Sequence, residues 1–275
     1  MFPLSKKQTV FITGASSGIG RATAEYFAHE GWNVAASMRD PDKAGNLQDL
    51  PGVMVVPCDV VDEASVRAAM TRTQEVFGPI DVVVNNAGYG LVGPFEVISI
   101  ERIRRQFEVN FFGLQSVIRN VLPQMRERRR GVIVNISSIG GRMTFPLYSN
   151  YHATKWAVDG FSESLHYELE PLGIRVKVIE PGPVATDFYG RSMDLELEGE
   201  SKGYDALMRR VLPKMSGGVK GAPVQEIARV IYRAATDETS RLRYPAGTMG
   251  AMILWARRLL PDRLFFFMIK QFLIK

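Results

Sequence analysis

The sequence holds a tyrosine and a lysine at a spacing suited to proton transfer. Tyr151 and Lys155 stand four residues apart in a segment with a helical pattern, so one helical turn brings both side chains to the same face. A free tyrosine titrates near pH ~10 and is a poor base at neutral pH, but a neighbouring ammonium group favours its phenolate form. The pair therefore predicts a tyrosine that donates or accepts a proton.

Two serines follow a nearby strand candidate. Ser137 and Ser138 come directly after the apolar stretch Val132–Ile136. Open α/β sheets bind their ligands at the carboxyl ends of the strands, so a hydroxyl group there could hold the substrate oxygen while Tyr151 exchanges its proton. A simpler interpretation stays open for each feature taken alone, because Ser-Ser after a strand is often a cap and tyrosine with lysine is a common helix pair.

A glycine-rich turn near the start of the chain could hold phosphate groups. The stretch Thr13–Gly20 has the pattern T-G-x-x-x-G-x-G, and it lies between an apolar strand candidate and a helical pattern. Glycines allow a tight turn and a close approach of the backbone to a pyrophosphate, whose charge then faces free N–H groups of the helix. The turn therefore predicts a dinucleotide site.

The end of the second strand candidate indicates which dinucleotide binds. An acidic side chain there would hold the ribose 2′-hydroxyl, whereas an arginine accommodates a 2′-phosphate. Arg39 comes first after this strand, and Asp40 and Asp42 come later, where a turn would place them in solvent. NADP(H) is favoured on this ground. NAD(H) stays open, because Arg39 could simply face water beside Asp40.

Short apolar strand candidates alternate with helical patterns, and this alternation predicts the fold. The strand candidates are nearly continuous Val/Ile blocks, as expected for strands covered on both faces. They are Thr9–Thr13, Asn33–Ser37, Val53–Val56, Asp81–Val84, Val132–Ile136 and Arg175–Ile179. The helical patterns are Ile19–Glu30, Glu63–Phe77, Ser99–Arg130, Tyr151–Leu172 and Pro223–Ala235. We expect an α/β fold with a doubly wound, Rossmann-type parallel sheet in a three-layer single domain, residues 1–275.

These motifs together resemble the short-chain dehydrogenase/reductase family, in its compact single-domain branch. The residues that carry the resemblance follow the family's order over about two-thirds of the chain. They are the glycine turn, Asn85–Gly88, Asn110, Ser138, Tyr151 with Lys155, and Pro181–Gly182. The resemblance implies a seven-stranded parallel sheet and a catalytic tetrad of Asn110, Ser138, Tyr151 and Lys155.

The resemblance also implies a role for each of these residues. Tyr151 would be the general acid or base, and Ser138, which lies 13 residues before it, would position the carbonyl oxygen. Lys155 would hold the nicotinamide ribose and lower the pKa of the tyrosine, and Asn110 would hold a water that relays the proton. The expected cofactor-binding residues are Gly14, Ser16, Ser17, Gly18, Ile19, Gly20, Arg39, Asp59, Val60, Asn86, Ala87, Gly88, Tyr151, Lys155, Pro181, Gly182, Val184 and Thr186.

The predicted function is hydride transfer between NADP(H) and a secondary alcohol or ketone. Apolar residues in the loops expected to face the substrate indicate a lipophilic ligand, although they could equally pack a lid, residues 186–221, onto the sheet. These residues are Leu91, Val92, Phe95, Met143, Phe145, Leu147, Phe188, Tyr189 and Met193. A non-catalytic NADP(H)-binding regulator that senses redox state is the alternative, and it would have no need of the Tyr151–Lys155 pair.

Composition and charge limit the other classes. A single cysteine allows no internal disulfide, and the first residues show no signal-peptide pattern, so we expect a cytoplasmic protein. The three histidines lack ligand spacing, so no metal is predicted. The net charge of +5 is moderate and the basic residues are not interleaved with aromatic ones, so no nucleic-acid partner is expected.

A basic and apolar C-terminal extension, residues 249–275, leaves two alternatives open. It could make a peripheral contact with a membrane as an interfacial anchor. It could instead form helices that cover the pocket or a subunit interface, and this is favoured because Pro261 interrupts any long amphipathic helix. The family resemblance implies a homodimer or homotetramer.

Overall fold

The computed structural model describes residues 7–185, 193–195, 203–216 and 221–275. The strands in these ranges are β1 Thr9–Thr13, β2 Asn33–Met38, β3 Val53–Pro57, β4 Val82–Asn85, β5 Gly90–Val92, β6 Gly131–Ile136, β7 Ile174–Pro181, β8 Val184–Ala185, β9 Met193–Leu195, β10 Ala222–Pro223 and β11 Arg243–Ala246. The α-helices are α1 Gly18–His29, α2 Glu63–Phe77, α3 Ile100–Phe107, α4 Gly113–Arg128, α5 Ser149–Leu169, α6 Asp205–Ser216, α7 Val224–Thr236, α8 Thr248–Leu259 and α9 Asp262–Ile269.

Seven of these strands form one parallel sheet in the order β11-β7-β6-β4-β1-β2-β3. The chain builds outward from β1 to β3 on one side and then from β4 to β11 on the other. The register pairs Ile12 of β1 with Ala36 of β2 and with Val84 of β4. The strand order therefore reverses beside β1, which is where such sheets open a crevice for ligands. The predicted doubly wound parallel sheet is confirmed.

Both faces of the sheet are covered by helices, which explains the unbroken apolar strands. All five residues of β1 are buried. Val10 and Ile12 pack on the side of α1 and α7, against residues such as Phe27 and Ile231. Phe11 points to the opposite face, toward α2, α4 and α5. Because full burial of one such side chain contributes about 1.5–3 kcal/mol, these two layers fix the positions of the strand ends.

The sequence pattern finds six strands of the large sheet within two residues of their bounds, and it misses the seventh. That strand, β11, contains Pro245 and stands at the edge of the sheet, where a missing backbone N–H is tolerated. The predicted long helix Ser99–Arg130 is divided, because a π-turn at Glu108–Phe112 separates α3 from α4.

Two later segments bear on the site. Half of the predicted lid, residues 186–221, lies outside the described residues, and its described half includes β9 and α6. The C-terminal extension forms α8 and α9, with Pro261 at the start of α9. Within the described ranges, no helix combines the length and the apolar character that crossing a bilayer requires.

Candidate active site

A cleft of about 620 Å³ opens along the carboxyl ends of six strands of the sheet. It receives the residues that follow β1, β2, β3, β4, β6 and β7. The predicted site residues that line it are Gly14, Ser16, Ser17, Gly18, Ile19, Arg39, Asp59, Val60, Asn86, Ala87, Gly88, Ser138, Tyr151, Lys155, Pro181, Gly182 and Val184. Two others, Gly20 and Asn110, do not line it, and Thr186 lies outside the described residues.

The glycine turn has the conformation that an anion site needs. Gly14 and Gly18 adopt positive φ angles of 67° and 56°, which glycine takes without steric cost. Ser17 precedes α1 without a side-chain capping bond, and the first turn of α1 has no acidic residue. A Cβ on Gly14 would lie 3.0 Å from the Cα of Ala87. The turn is thus a close-walled cradle with free helix N–H groups, which fits a pyrophosphate.

Gly20 supports this turn from behind. A Cβ at this position would lie 2.3 Å from the carbonyl oxygen of Gly14 and 2.4 Å from Nδ2 of Asn86. Such contacts are too close for any side chain, so the first turn of α1 can approach the loop only because residue 20 is a glycine. Gly20 therefore shapes the cradle rather than lining it.

Thr13 joins the glycine turn to the loop after β4. Its hydroxyl oxygen accepts hydrogen bonds from the backbone N–H groups of Asn86 (2.9 Å) and Ala87 (3.0 Å). In return, Nδ2 of Asn86 donates to the carbonyl oxygens of Thr13 (3.0 Å) and Gly14 (3.1 Å). These bonds hold the loop after β1 and the loop after β4 together, at the place where the strand order reverses. Thr13 belongs to the sequence motif, but the motif alone does not predict this role.

Cationic side chains lie at the end of the cleft beside β2. Arg39 is exposed and lines the cleft. Asp40 does not line it, and its carboxylate lies 3.1 Å from Nζ of Lys43. A second cation, Arg105, lines the cleft from α3 and lies 4.0 Å from Asp59. Arg105 is not predicted from the sequence, because only the packing of α3 brings it to this edge.

Tyr151 and Lys155 share one wall of the cleft, as their spacing predicts. The Nζ atom of Lys155 lies 5.8 Å from the centre of the Tyr151 ring and donates a 2.9 Å hydrogen bond to the carbonyl oxygen of Ile136. Lys155 is almost fully buried. Burial lowers its pKa to about 8, and the charge of Asp159 acts in the opposite direction. The ammonium group is therefore held between the end of β6 and the tyrosine.

The two serines after β6 have different surroundings. Ser137 is buried and donates a hydrogen bond to the carboxylate of Asp159. Burial raises the pKa of Asp159 to about 7, and the hydrogen bond from Ser137 opposes this. Ser138 is half-buried, and its hydroxyl oxygen accepts a 3.0 Å bond from the backbone N–H of Gly140. The proton of Ser138 is thus free to point to a ligand, whereas that of Ser137 is used within the protein.

Asn110 lies behind the cleft, in the π-turn between α3 and α4. Its Nδ2 atom donates to the carbonyl oxygen of Tyr89 (2.9 Å) and to the hydroxyl of Thr154 (3.1 Å), and its Oδ1 atom accepts from the N–H of Tyr89 (3.0 Å). A Cβ on Gly88 would lie 3.1 Å from this Oδ1 and 3.8 Å from Nζ of Lys155. Asn110 thus fixes the loop at Tyr89, and its role in holding a water stays a prediction.

The apolar wall of the cleft differs from the predicted one. Of the described residues in the predicted set, Phe145 lines the cleft, while Leu91, Val92, Met143 and Leu147 are buried by packing and Phe95 is 65% exposed. Phe188 and Tyr189 lie outside the described residues, as does the side chain of Met193. Tyr148 and Met215 join Phe145 at this wall instead. Val92 and Leu147 pack in one cluster with Val211 of α6, so for these two residues the structure supports the other open alternative, in which they pack the lid segment.

A buried histidine holds this wall in place. His152 accepts a 3.0 Å hydrogen bond at Nε2 from the N–H of Phe145, and its Nδ1 atom lies 3.0 Å from the carbonyl oxygen of Gly140. Burial lowers its pKa to about 4, so the ring is neutral at physiological pH, with its proton on Nδ1. His152 therefore acts as a structural bridge across the loop that carries Ser138 and Phe145.

Residues 8–196 match the model of the short chain dehydrogenase family. The chain therefore belongs to this family of oxidoreductases. It is 33% identical over 268 residues to a 3-ketodihydrosphingosine reductase of Bacteroides thetaiotaomicron. The aligned residues cover 96% of this chain and 97% of that protein. It is 39% identical over 207 residues to retinol dehydrogenase 8 of Homo sapiens, with 72% of this chain and 66% of that protein covered.

Solved structures show the same fold. A short-chain dehydrogenase from Streptomyces avermitilis superposes with a TM-score of 0.84 at 32% identity, with 93% of each chain covered. A 3-ketoacyl-(acyl-carrier-protein) reductase from Brucella melitensis, solved with NADH, has a TM-score of 0.74 at 26% identity, covering 88% of this chain and 99% of that one. ElxO, solved with NADP, has a TM-score of 0.72 at 26% identity with the same coverage.

The Thr13 hydroxyl offers a test of how the two loops are joined. Thr13→Val removes the acceptor of two half-buried N–H groups, so we expect the free energy of unfolding to fall by about 1–3 kcal/mol. Thr9→Val is the matched control, because Thr9 is also a buried residue of β1 and its hydroxyl has no partner among the described residues. The free energy of unfolding of the Thr9→Val variant should change little. Urea denaturation measures both, and equal losses would contradict the role of Thr13.

Proposed function

We propose that the protein transfers a hydride between NADP(H) and a lipophilic secondary alcohol or ketone, with Tyr151 as the proton donor or acceptor. One observation carries the proposal: Tyr151, Lys155 and Ser138 line the same cleft as the glycine turn and Arg39. A cradle for a dinucleotide thus continues into a group of side chains that can exchange a proton. The redox-sensing alternative explains the cradle, but it does not explain why Tyr151, Lys155 and Ser138 line the other end of the cleft.

The side chains of the chain itself account for the proton step. During reduction of a ketone, the Tyr151 hydroxyl donates its proton to the substrate oxygen. The nearby Lys155 ammonium stabilises the phenolate that remains. The Ser138 hydroxyl accepts from the N–H of Gly140, so its own proton can be donated to the substrate oxygen. During oxidation of an alcohol the same groups act in reverse.

The cleft suits a nicotinamide dinucleotide, which supplies or accepts the hydride when bound. The glycine turn and the N-terminus of α1 would hold the pyrophosphate. Arg39, whose neighbour Asp40 pairs with Lys43, would hold a 2′-phosphate. Related structures were solved with NADP and with NADH, which supports NADP(H) as the favoured cofactor and keeps NAD(H) open.

An apolar wall beside Tyr151 favours a lipophilic substrate. Phe145, Tyr148 and Met215 line this part of the cleft, and α6 adds Val211 to the cluster behind them. The names of two relatives point the same way, since one is a 3-ketodihydrosphingosine reductase and the other a retinol dehydrogenase. We therefore infer that the substrate carries its carbonyl or hydroxyl group next to a long apolar chain or ring.

Removal of the Tyr151 hydroxyl tests the proton step. We expect Tyr151→Phe to lower kcat by about 100-fold to 10,000-fold, since a positioned acid or base contributes this much, while the dissociation constant of NADPH stays within about threefold. Oxidation of NADPH with a panel of long-chain and cyclic ketones measures the first, and calorimetry the second. Tyr148→Phe, a tyrosine on the same wall, is the control and should keep most of its activity. An active Tyr151→Phe variant would remove Tyr151 from the mechanism.

Reversal of one charge tests the cofactor assignment. Arg39→Asp should lower the ratio of kcat/KM for NADPH to that for NADH by at least about tenfold, because a carboxylate repels a 2′-phosphate and accepts a hydrogen bond from a 2′-hydroxyl. Arg72→Asp is the matched control, since Arg72 is an exposed residue of α2 that pairs with Glu75 away from the cleft. Steady-state kinetics with both cofactors gives the ratios. An unchanged ratio in Arg39→Asp would refute the assignment.

A further inference from the structure

The outward face of α8 is an exposed apolar stripe. Met252, Trp255 and Leu259 lie three and four residues apart, so they share one side of the helix. They are 64%, 63% and 70% exposed. A surface helix normally turns such a stripe toward the core. Here the stripe faces away from the protein, which marks an interaction surface.

The next helix extends this surface. Phe265 and, further on, Leu273 are buried, and Phe265 packs in one cluster with Ile139 and Met143. On the other sides, Phe267 and Phe272 are more than half exposed. The segment therefore carries large apolar side chains on its exposed sides as well as on the side that the rest of the described protein covers. We call α8, α9 and the segment up to Lys275 the terminal helices.

The charge of the terminal helices is strongly positive. Residues 248–275 contain five Lys or Arg and one acidic residue, Asp262. The carboxylate of Asp262 pairs with Arg257 at 2.6 Å. The other four cations, Arg258, Arg263, Lys270 and Lys275, are exposed. Large apolar side chains thus lie among positive charges. The single acidic side chain of the segment, Asp262, already pairs with Arg257.

We propose that the terminal helices dock on the surface of an anionic lipid membrane. Exposed Trp, Phe and Leu side chains insert into the boundary between head groups and acyl chains, and Lys and Arg attract anionic head groups. A second copy of the chain complements the surface poorly, because two copies would bring their exposed cations together on molecules that already carry a net charge of +5 each. An anionic membrane can bury the exposed apolar side chains of the terminal helices and neutralise their cations.

Docking would also bring the cleft close to the lipid. Phe265 contacts the cluster at Ile139, the residue next to Ser138, so the terminal helices pack directly behind the proton-transfer end of the cleft. If the proposed function holds, a lipophilic substrate reaches Tyr151 from the membrane without crossing water. This consequence rests on the proposed function, whereas the docking itself does not.

Sedimentation with lipid vesicles tests the docking. The full-length protein is mixed with vesicles of phosphatidylcholine alone or of phosphatidylcholine with phosphatidylserine. We expect the bound fraction to give a partition coefficient at least about tenfold higher with phosphatidylserine, and to fall as salt is added. The double variant Trp255→Glu/Phe267→Glu should lower the coefficient by at least about tenfold. The double variant Arg258→Glu/Arg263→Glu should remove the preference for phosphatidylserine.

A control substitution and an oligomer measurement make the outcome decisive. Tyr167→Glu changes a residue of α5 that is 66% exposed and should leave vesicle binding unchanged. Binding that does not depend on phosphatidylserine, or no binding at all, overturns the proposal. So does a dimer in analytical ultracentrifugation that Trp255→Glu/Phe267→Glu dissociates, because a second copy would then cover the surface. NADPH turnover in detergent tests the proposed function separately, so the two can fail independently.

Discussion

The proposed chemistry depends on one buried cation next to one phenol. Lys155 is held by α5 so that its ammonium group reaches both the carbonyl at the end of β6 and the ring of Tyr151. A 2.9 Å hydrogen bond to Ile136 fixes the ammonium, and the four-residue spacing on the helix places the tyrosine one turn away. The parallel sheet brings the glycine turn and Arg39 to the same edge. The proposed reaction therefore requires that Tyr151, with Lys155 beside it, can exchange a proton.

Holding this cation in the protein costs stability. Burial lowers the pKa of Lys155 from 10.5 to about 8, so the unfolded chain binds this proton more tightly than the folded protein does. Between about pH 8 and 10.5, Lys155 therefore binds more protons in the unfolded state than in the folded state. The contribution of Lys155 to the free energy of unfolding rises with pH over this range. At neutral pH the charged form is retained at a cost. The hydrogen bond to Ile136 and the charge of Asp159 partly offset that cost, and the ammonium remains beside Tyr151.

The fold could be predicted from the sequence far better than the details of the cleft. Val/Ile blocks and the i, i+4 spacing of Tyr151 and Lys155 are local signals, and the structure brings the expected residues together. β11 was missed because an edge strand with a proline has no continuous apolar pattern. Arg105 and Met215 were missed because tertiary packing alone carries α3 and α6 to the cleft. The two alternatives for the apolar loop residues stayed open because loop sequence does not say which side chains point inward.

The pH dependence of alcohol oxidation is the most direct test of the proposed proton transfer. We predict that kcat/KM of the wild type rises with pH through one ionisation, and that Lys155→Met moves this rise to higher pH because the phenolate loses its stabilising cation. If the rise stays at the same pH in Lys155→Met while cofactor affinity is unchanged, the cation does not act on the phenol and the central claim is contradicted.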